Sequence, residues 1–521
     1  MKTKTLYFLV FLTLVFSLIK VDYRFKEIPY GLEVDDAEYY YSAVTIGIDF
    51  DLDFSNQMRG VDNRFLNFEN NKIVPFHPIG SGILASPFVF IANIFEELEN
   101  SKSPISLVYY IYSFAPIFYF FISILLLQMS MNELNIKYDN KLLLIAIFGT
   151  GITYYSFDRF SMSHIYEFFG TSFLIFLSTK SLKQKGNNKP NIIFLFLGFL
   201  IFLFLTVRWI NYLYFLIPLI IYHISNNSLK KLYLQPTFTI GIIFGLILFL
   251  FHTKYLYGIY TLNQAPILLS IENSFSANYS RFFNLNMFLE NISFLMEGIR
   301  IIFFSKEFGI FFFAPILFLS FGFVLFSLFK KNFLLTFLLF ILYLIPFLSV
   351  IVVQNTAFSY GYRYLFVLIP INIVLYFKFF FKYKYINFYL LVFSILGFIL
   401  YIFFETTEAT SLYYDYVVNS FGMNTRYSNP NYLSNLPRVL LNLNAYMHIL
   451  FTSFIGVLLI KLINLFTDPV LFFSNFTEIS DDIASLISNS LNFSWPRLFF
   501  MYIFVIYFLV LISKNKANNN F

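Results

Sequence analysis

The feature that most constrains this chain is the recurrence of apolar segments long enough to cross a membrane. After the N-terminal segment they lie at about 105–130, 141–156, 163–179, 191–207, 210–225, 237–253, 308–329, 333–353, 364–380, 386–404, 446–466 and 498–513. A helix of about 20 apolar residues spans the hydrocarbon core and satisfies its own backbone hydrogen bonds there. In a chain of 521 residues, 58% are hydrophobic, and a soluble protein of this size could not bury that much apolar surface. We therefore expect an all-α, polytopic integral membrane protein with about 12–13 transmembrane helices.

The basic residues of the connecting segments predict the topology. Residues 1–20 combine lysines with an apolar run and lack a small-x-small cleavage site, which predicts an uncleaved first span with Lys2 in the cytoplasm. If the spans alternate, the later lysine clusters also fall in the cytoplasm, as the positive-inside rule requires. These clusters are Lys180, Lys183, Lys185 and Lys189; Lys230 and Lys231; Lys330 and Lys331; and Lys378, Lys382 and Lys384. Lys514 and Lys516 do not fit, so either one span is miscounted or segment 467–497 has a role that its sequence does not reveal.

The predicted outer segments are long, and the first of them is acidic, whereas the cytoplasmic segments are short and basic. Loops 254–307 and 405–445 are long, and loop 21–104 carries Asp22, Glu27, Glu33, Asp35, Asp36, Glu38, Asp49, Asp51, Asp53, Asp62 and Glu69. The short cytoplasmic loops leave no room for a nucleotide-binding domain, and the sequence has neither a Walker-type loop nor a Rossmann fingerprint. The net charge of +6 fits lysine-rich cytoplasmic loops and requires no nucleic-acid partner. We expect any chemistry to occur on the outer face.

The stretch GLEVDDAEYYY, residues 31–41, opens the first outer loop and places Asp35, Asp36 and Glu38 within four positions. Acidic side chains beside a membrane span are costly and are functional candidates for that reason. A carboxylate in a partly dehydrated cleft can act as a general base. A carboxylate pair can also hold a divalent cation, so Asp35 and Asp36 are the candidate metal ligands and this cation is the one cofactor left open. The alternative is a solvated loop whose acids cap a short helix.

Two further parts of the first outer loop carry recognisable patterns. Asp49, Asp51 and Asp53 form a D-x-D-x-D run, but Phe54 and Gly60 stand where a calcium-binding hand needs Gly and Glu. The alternation with apolar residues predicts an extended, half-buried segment instead. Segment 78–98 is apolar but interrupted by Pro and Gly, which predicts an interfacial or re-entrant piece rather than a straight span.

Several isolated polar residues also lie on the predicted outer side. His77 precedes the broken apolar segment, and His164 begins the fourth of the spans that include the N-terminal run. Each is either a hydrogen-bonded interfacial histidine or part of a site with the acids. Lys306 and Glu307 lie where the third outer segment returns to the membrane, either as a simple charge pair or as site residues.

Arg363 stands in a very short outer loop between two spans. Its neighbours are aromatic, with Tyr360, Tyr362 and Tyr364 on either side. An arginine at this position can reach a lipid headgroup by extending its side chain to the interface. It can equally bind a phosphate with two parallel hydrogen bonds.

Five stretches occur together in an order that resembles the GT-C class of membrane glycosyltransferases. More narrowly, the chain resembles the bacterial relatives of protein O-mannosyltransferases and of the aminoarabinose transferase that modifies lipid A. The stretches are VDDAEYYYSA, FHPIGSGILASPF, SHIYEFFGTSFLI, FFSKEFGIFFFAPIL and SYGYRYLFVLIP, and they cover about residues 1–380.

The resemblance implies a polyprenyl-phosphate sugar as donor, used on the outer face of the bacterial cytoplasmic membrane. The acceptor would be an envelope glycan, a lipid or a protein. The acid that the family requires corresponds to Asp35 or Asp36, which would activate the acceptor hydroxyl. Arg363, with Lys306, would stabilise the departing phosphate, and the displacement would invert the anomeric carbon. The remaining expected substrate-binding residues are Glu38, His77, His164, Glu307 and Tyr362.

The sequence leaves other functions open. The main alternative is a polytopic transporter or lipid flippase, although no internal repeat is evident. An inactive scaffold of the same fold is a second alternative. An O-antigen-type polymerase or ligase is a third, with Arg426 and Arg438 as its cations. We expect residues 1–466 to form the catalytic membrane domain, and residues 467–521 an interfacial segment followed by the last span.

Overall fold

The structure is a computed structural model that describes residues 13, 16–19, 35–58, 73–75, 77–96, 106–184, 191–209, 211–227, 229–262, 292–304, 309–353, 362–404, 436–437, 440–441, 443–476, 479, 481–491 and 494–515. Lys306, Glu307, Arg426 and Arg438 lie outside these residues.

The described residues form helices joined by turns, and no strand is found among them. The first group comprises α1 (Asp35–Val44), α2 (Gly80–Glu96), α3 (Leu107–Tyr112), α4 (Phe114–Glu133), α5 (Asn140–Phe148), α6 (Ile152–Phe157), α7 (His164–Leu182), α8 (Ile192–Leu205), α9 (Leu216–Ile224), α10 (Lys230–Tyr233) and α11 (Pro236–Tyr257). The second comprises α12 (Ile292–Phe304), α13 (Ile310–Phe313), α14 (Pro315–Phe329), α15 (Phe333–Val353), α16 (Ile369–Leu375), α17 (Lys384–Phe404), α18 (Leu443–Thr452), α19 (Phe454–Ile463), α20 (Pro469–Ser474), α21 (Asp481–Leu491) and α22 (Trp495–Lys514). Short 3₁₀ or π turns extend them at Thr45–Asp49, Tyr212–Phe215, Arg363–Leu368 and Tyr376–Phe380.

Helices coincide with the predicted apolar runs, which confirms an all-α, polytopic membrane protein. Within the described chain, five helical segments are long and apolar enough to cross a membrane: Leu107–Glu133, Pro236–Tyr257, Arg363–Phe380, Lys384–Phe403 and Trp495–Lys514. Shorter apolar helices accompany them. Large apolar side chains of α11, such as Ile240 and Phe244, are exposed on the outside of the bundle, as expected of a surface that faces lipid tails.

One end of the bundle, which we call the lysine end, is marked by Glu133, Lys180, Lys183, His223 and Asn332. Here the end of α4 meets the end of α7, because Lys180 and Lys183 both pair with Glu133. Here also the end of α9 meets the turn between α14 and α15, where Nε2 of His223 lies 2.9 Å from Oδ1 of Asn332. The ends of helices far apart in sequence therefore lie on one side.

The opposite end, which we call the carboxylate end, is marked by Asp36, Arg159, Gly80, Thr206 and Arg363. Arg159, in the turn between α6 and α7, binds Asp36 of α1. The amide of Gly80, at the start of α2, donates to the carbonyl of Thr206 beyond the end of α8, at 2.9 Å. Arg363 begins the helical segment that ends at the lysine end. The longer helices thus run alternately between the two ends.

The apolar run at 446–466 is not a single span, contrary to the prediction. Ser453 is extended (φ −87°, ψ 163°) and separates α18 from α19. Tyr446 of α18 packs on Phe403, at the carboxylate end of α17, with ring centroids 5.3 Å apart. Lys461 of α19 lies 5.6 Å from the ring centroid of Trp495, which begins α22. Both ends of this helical hairpin therefore point towards the carboxylate end.

The hairpin accounts for the C-terminal lysine Lys514, which did not fit the predicted alternation of spans. The other end of α22 lies at the lysine end, where Nε2 of Gln128 donates to the carbonyl of Ile512 at 3.1 Å. Once the run at 446–466 is removed from the count of crossings, Lys514 joins the other lysines. Of the two explanations offered by the sequence, the geometry of α18, α19 and α22 favours the miscounted span.

The segment predicted to be interfacial or re-entrant is one helix, α2, with Pro87 inside it. Proline cannot donate to the carbonyl four residues earlier, so a substitute donor is needed in an apolar setting. The hydroxyl of Ser86 supplies it and donates to the carbonyl of Ile83 at 2.9 Å. Gly82 permits close contact with α1, because a Cβ there would lie 2.6 Å from Cβ of Ser42.

The D-x-D-x-D run is not extended, contrary to the prediction. Oδ1 of Asp51 accepts from the amide of Asp53 at 3.0 Å, and Oδ1 of Asp53 accepts from the amide of Ser55 at 3.2 Å. Asp49 ends the π turn that follows α1, and its carboxylate binds the side-chain amides of the next turn. Short acidic side chains favour turns because they hydrogen-bond their own backbone two residues on. These aspartates therefore shape the loop.

Candidate functional site

Asp36 binds Arg159 in a buried ion pair at the carboxylate end. The Nε and Nη2 groups of Arg159 donate to Oδ2 of Asp36 at 2.9 and 2.7 Å. Asp36 is only 3% exposed. Burial lowers the pKa of Arg159, but the Asp36 carboxylate, together with Tyr154 and Tyr155, raises the pKa overall. The guanidinium is therefore charged, and it stabilises Asp36 as a carboxylate.

Asp35 begins α1, and its side chain lies outside the described part of the structure. Residues 35–44 are helical, so Asp35 and Glu38, three positions apart, lie on one face of α1. Asp36 and Glu38 are two positions apart, or about 200° around the helix axis, so they face different partners.

Glu38 binds His77 rather than an arginine. Oε2 of Glu38 accepts from the backbone amide of His77 at 3.0 Å and lies 2.8 Å from its Nδ1. Because a carboxylate oxygen can only accept a hydrogen bond, Nδ1 of His77 carries the proton in this contact. The ring of Tyr39 lies 5.3 Å from the His77 ring. The structure thus joins two of the predicted site residues.

His164 belongs to a second buried cluster, centred on Glu167. Oε2 of Glu167 lies 2.8 Å from Nδ1 of His164 and accepts from Nη1 of Arg208 at 3.4 Å. Oε1 of Glu167 accepts from the side-chain amide of Asn211. The Glu167 carboxylate, which is 1% exposed, is therefore compensated on both oxygens.

Two arginines meet at the ring of Tyr364. The guanidinium carbon of Arg208 lies 4.1 Å from the centroid of this ring, and that of Arg363 lies 5.2 Å from it. Nη2 of Arg363 also donates to the Tyr364 hydroxyl at 3.3 Å. Tyr362 is buried, and burial raises its pKa. The structure places Arg363 next to a second arginine that the sequence analysis did not single out.

The chemistry of this pair suits an anion. Burial lowers the pKa of Arg208, but Glu167, Tyr364 and Tyr39 together raise it overall, while the nearby charge of Arg363 partly opposes that rise. The Arg208 guanidinium therefore remains charged beside that of Arg363. Arginine side chains hydrogen-bond phosphate oxygens in a fixed planar geometry. The Arg208–Arg363 pair is thus suited to bind a phosphate.

The residues that sequence reasoning missed are Arg159, Glu167, Arg208 and Asn211. Glu167 lies within a predicted span, and Arg208 is the charged residue between two predicted spans. An ionisable residue at such a position is a functional candidate by default, so both could have been identified. Arg159 lies in the turn RFSMS before His164 and gave no comparable signal.

No metal centre is evident among the residues that the structure describes. Among the described residues, no group of three or more His, Cys, Asp or Glu side chains could hold a metal ion. Asp36 uses Oδ2 for Arg159, and Asp49, Asp51 and Asp53 make turn hydrogen bonds. Lys306 and Glu307 lie outside the described residues, so their predicted roles remain predictions.

No protein-family model and no curated protein sequence matches the chain. Among solved structures, the chain is similar to the archaeal oligosaccharyltransferase AglB from Archaeoglobus fulgidus, in complex with an inhibitory peptide and a dolichol-phosphate. The two chains are 14% identical, the alignment covers 95% of this chain and 61% of that one, and the TM-score is 0.35. The chain thus spans under two thirds of that protein's length. A similarity at this TM-score decides neither fold nor activity.

Proposed function

We propose that this protein is a membrane glycosyltransferase that moves a sugar from a polyprenyl-phosphate donor to an acceptor on the outer face of a bacterial cytoplasmic membrane. The acceptor is an envelope glycan, a lipid or a protein. The observation that carries the proposal is the convergence of Asp36, Glu167, Arg159, Arg208 and Arg363 at one end of the bundle. A charged cluster at the ends of apolar helices suits a reaction whose donor is held in the bilayer.

Asp36 is the proposed general base. A base must be ionised and must keep one oxygen for the incoming proton. Arg159 meets the first requirement, and it binds only Oδ2, so Oδ1 is the oxygen that would accept the proton. Arg159 is a positioning residue in this scheme, because it acts through Asp36. Asp35 is the alternative base at the same helix start.

Arg208 and Arg363 are the proposed ligands of the donor phosphate. During transfer, negative charge grows on the phosphate oxygen that leaves the sugar. Two guanidiniums at the Tyr364 ring would stabilise that charge in a region with little water. His164 and Asn211, by binding Glu167, would keep Arg208 in place.

The proposed reaction is a direct displacement. The acceptor oxygen forms a bond to the anomeric carbon while the bond from that carbon to the phosphate oxygen breaks. The acceptor proton passes to the Asp36 carboxylate, and the bonding electron pair leaves with polyprenyl phosphate. A single displacement inverts the anomeric carbon. A product that retains the donor configuration would contradict this mechanism.

The test uses membranes that contain the wild type or the Asp35→Asn/Asp36→Asn double variant, and a panel of radiolabelled polyprenyl-phosphate sugars. Wild-type membranes should release polyprenyl phosphate from one donor and pass the label to an acceptor, and the double variant should not. Asp51→Asn is the matched control, because Asp51 is an exposed acid of the same region that only shapes a turn. Equal turnover by the double variant would contradict the site. Movement of an intact donor across the membrane without sugar release would instead favour the flippase.

A further inference from the structure

A cavity of about 240 Å³ opens at the lysine end, and its lining shares no residue with the cluster described above. It lies where the ends of α9 and α14, the start of α15 and the π turn Tyr376–Phe380 come together. The residues that matter for its chemistry are His223, Phe326, Lys330, Asn332, Lys378 and Phe379. Three separate parts of the chain therefore contribute to one pocket.

Among the described residues, two lysines line the cavity and no acid does. Lys180 and Lys183, at the same end, are both paired with Glu133. By contrast, no carboxylate of the described residues pairs with Lys330 or Lys378, and no acidic residue is among the described residues that line the cavity. Two ammonium groups facing one cavity would repel each other unless an anion lies between them.

Hydrogen bonds within the protein hold the polar side chains His223 and Asn332 of the cavity in place before any ligand binds. Oδ1 of Asn332 accepts from the amide of Leu335 at 3.2 Å, which caps α15, and lies 2.9 Å from Nε2 of His223. The amide of Asn332 donates to the carbonyl of Ser327 at 3.0 Å. A preformed pocket loses little conformational entropy on binding.

Apolar side chains also line the cavity, beside the polar Asn226 and Ser327. Phe326 and Phe379 contribute to its lining, and the ammonium of Lys330 lies 5.8 Å from the Phe326 ring centroid. Phe329 and Phe333, on either side of Lys330, are 80% and 70% exposed. Exposed phenylalanine side chains are unfavourable in water and favourable in contact with lipid. A ligand that matches both parts has an anionic head and an apolar body.

We propose that this cavity binds the phosphate headgroup of an anionic phospholipid in the leaflet at the lysine end. Basic pockets between transmembrane helices recognise such headgroups by charge. Lys330 and Lys378 would bind the phosphate oxygens, and Phe326 and Phe379 would contact the glycerol region. The proposal does not depend on the glycosyltransferase activity.

The test is native mass spectrometry of the purified full-length protein titrated with phosphatidylglycerol. The Lys330→Gln/Lys378→Gln variant should bind this lipid about 25-fold more weakly than the wild type, since each lysine near an anionic surface contributes about a factor of five. Each single variant should lose about fivefold, which gives a second reading if the double variant folds poorly. Lys331→Gln/Lys382→Gln is the matched control, because these exposed lysines lie in the same turns but do not line the cavity.

Two further ligands identify the source of the phosphate. Zwitterionic phosphatidylcholine should bind equally weakly to all variants, and inorganic phosphate at millimolar concentration should not displace phosphatidylglycerol. An equal loss in the cavity and control variants would overturn the proposal, because it would show general surface attraction. Inorganic phosphate binding that depends on Lys330 and Lys378, without lipid binding, would also overturn it in favour of a free anion.

Discussion

At the scale of single residues, Asp36 and Glu38 of α1 bind different partners because they point in different directions from the helix axis. Asp36 binds Arg159, and Glu38 binds His77, although only one residue separates the two acids. Helical geometry accounts for this, since two positions correspond to about 200° of rotation. A buried carboxylate needs a compensating partner, and each of these has one. The cluster is therefore stable enough to hold a reactive carboxylate in one orientation.

The arginine pair leads to a prediction about donor affinity. Arg363→Gln should raise the KM for the lipid-phosphate donor about 10-fold or more, because a hydrogen bond to a charged group contributes about 1.5–3 kcal/mol. Steady-state kinetics with the accepted donor measure this. Lys254→Gln is the control, since Lys254 lies near the same end but its ammonium binds the carbonyl of Gly258. An unchanged donor KM in Arg363→Gln would remove Arg363 from the phosphate site.

At the scale of helices, close contacts hold α1 where Asp36 can meet Arg159. One such contact is at Gly82 of α2, which leaves no space for a side chain beside Ser42 and Ala43. The start of α2 is fixed in turn by the hydrogen bond from Gly80 to Thr206, two residues before Arg208. These contacts connect the acids of α1 to the arginine of the phosphate site.

Enlarging Gly82 should therefore disturb both stability and activity. We expect Gly82→Ala to destabilise the protein by about 1–3 kcal/mol, because overpacking forces helices apart. Thermal unfolding in detergent measures the loss, and turnover should fall with it. Gly322→Ala is the control, because a Cβ there would meet only the edge of the Phe380 ring, at 3.3 Å, and no backbone atom. Equal stability of the two variants would show that the contact between α1 and α2 is not a constraint.

The helical hairpin leads to a second prediction at this scale. The chain contains no cysteine, so single cysteines can be introduced and labelled without background. Leu441 and Leu465 flank the hairpin and are 88% and 65% exposed. An impermeant maleimide should label the Leu441→Cys and Leu465→Cys variants from one side of the membrane, and Lys514→Cys from the other. Labelling of Leu441→Cys and Leu465→Cys from opposite sides would restore the single span.

Hydropathy alone predicts the helical class of the fold but not the paths of all its segments. An apolar run of sufficient length marks a helix, yet it does not record whether the chain reverses, as it does at Ser453. In the same way, Asp36 was identifiable in the sequence, but its partner Arg159 was not. Arg159 is 123 positions from Asp36, and no local pattern connects them. The sequence singled out Arg363, whereas its proximity to Arg208 became evident from the contacts of both arginines with Tyr364.

At the scale of the whole molecule, the charge is divided between two ends. The carboxylate end holds buried acids compensated by arginines, and the lysine end holds lysines that include the two at the cavity, Lys330 and Lys378, for which the described residues show no ion pair. The positive-inside rule assigns the lysine end to the cytoplasm. The proposed transfer site would then face outward, on the side where lipid-linked sugars rather than nucleotide sugars serve as donors.

This orientation is directly testable in intact cells. The impermeant maleimide should label Asp51→Cys, because Asp51 is an exposed residue near the carboxylate end. It should label Lys382→Cys only after the membrane is made permeable, since Lys382 lies at the lysine end. The reverse pattern would place the carboxylate cluster in the cytoplasm and would contradict transfer on the outer face.

The central claim is that Asp36 activates the acceptor for attack on a lipid-phosphate sugar. The most direct measurement is the rate at which purified Asp36→Asn releases polyprenyl phosphate from the accepted donor, compared with Asp51→Asn and the wild type. Asparagine can still accept a hydrogen bond from Arg159 but cannot take up a proton at neutral pH. The rate should fall by about 10²–10⁴-fold, the usual contribution of a positioned general base, while Asp51→Asn remains at the wild-type rate. A wild-type rate in Asp36→Asn would contradict the assignment.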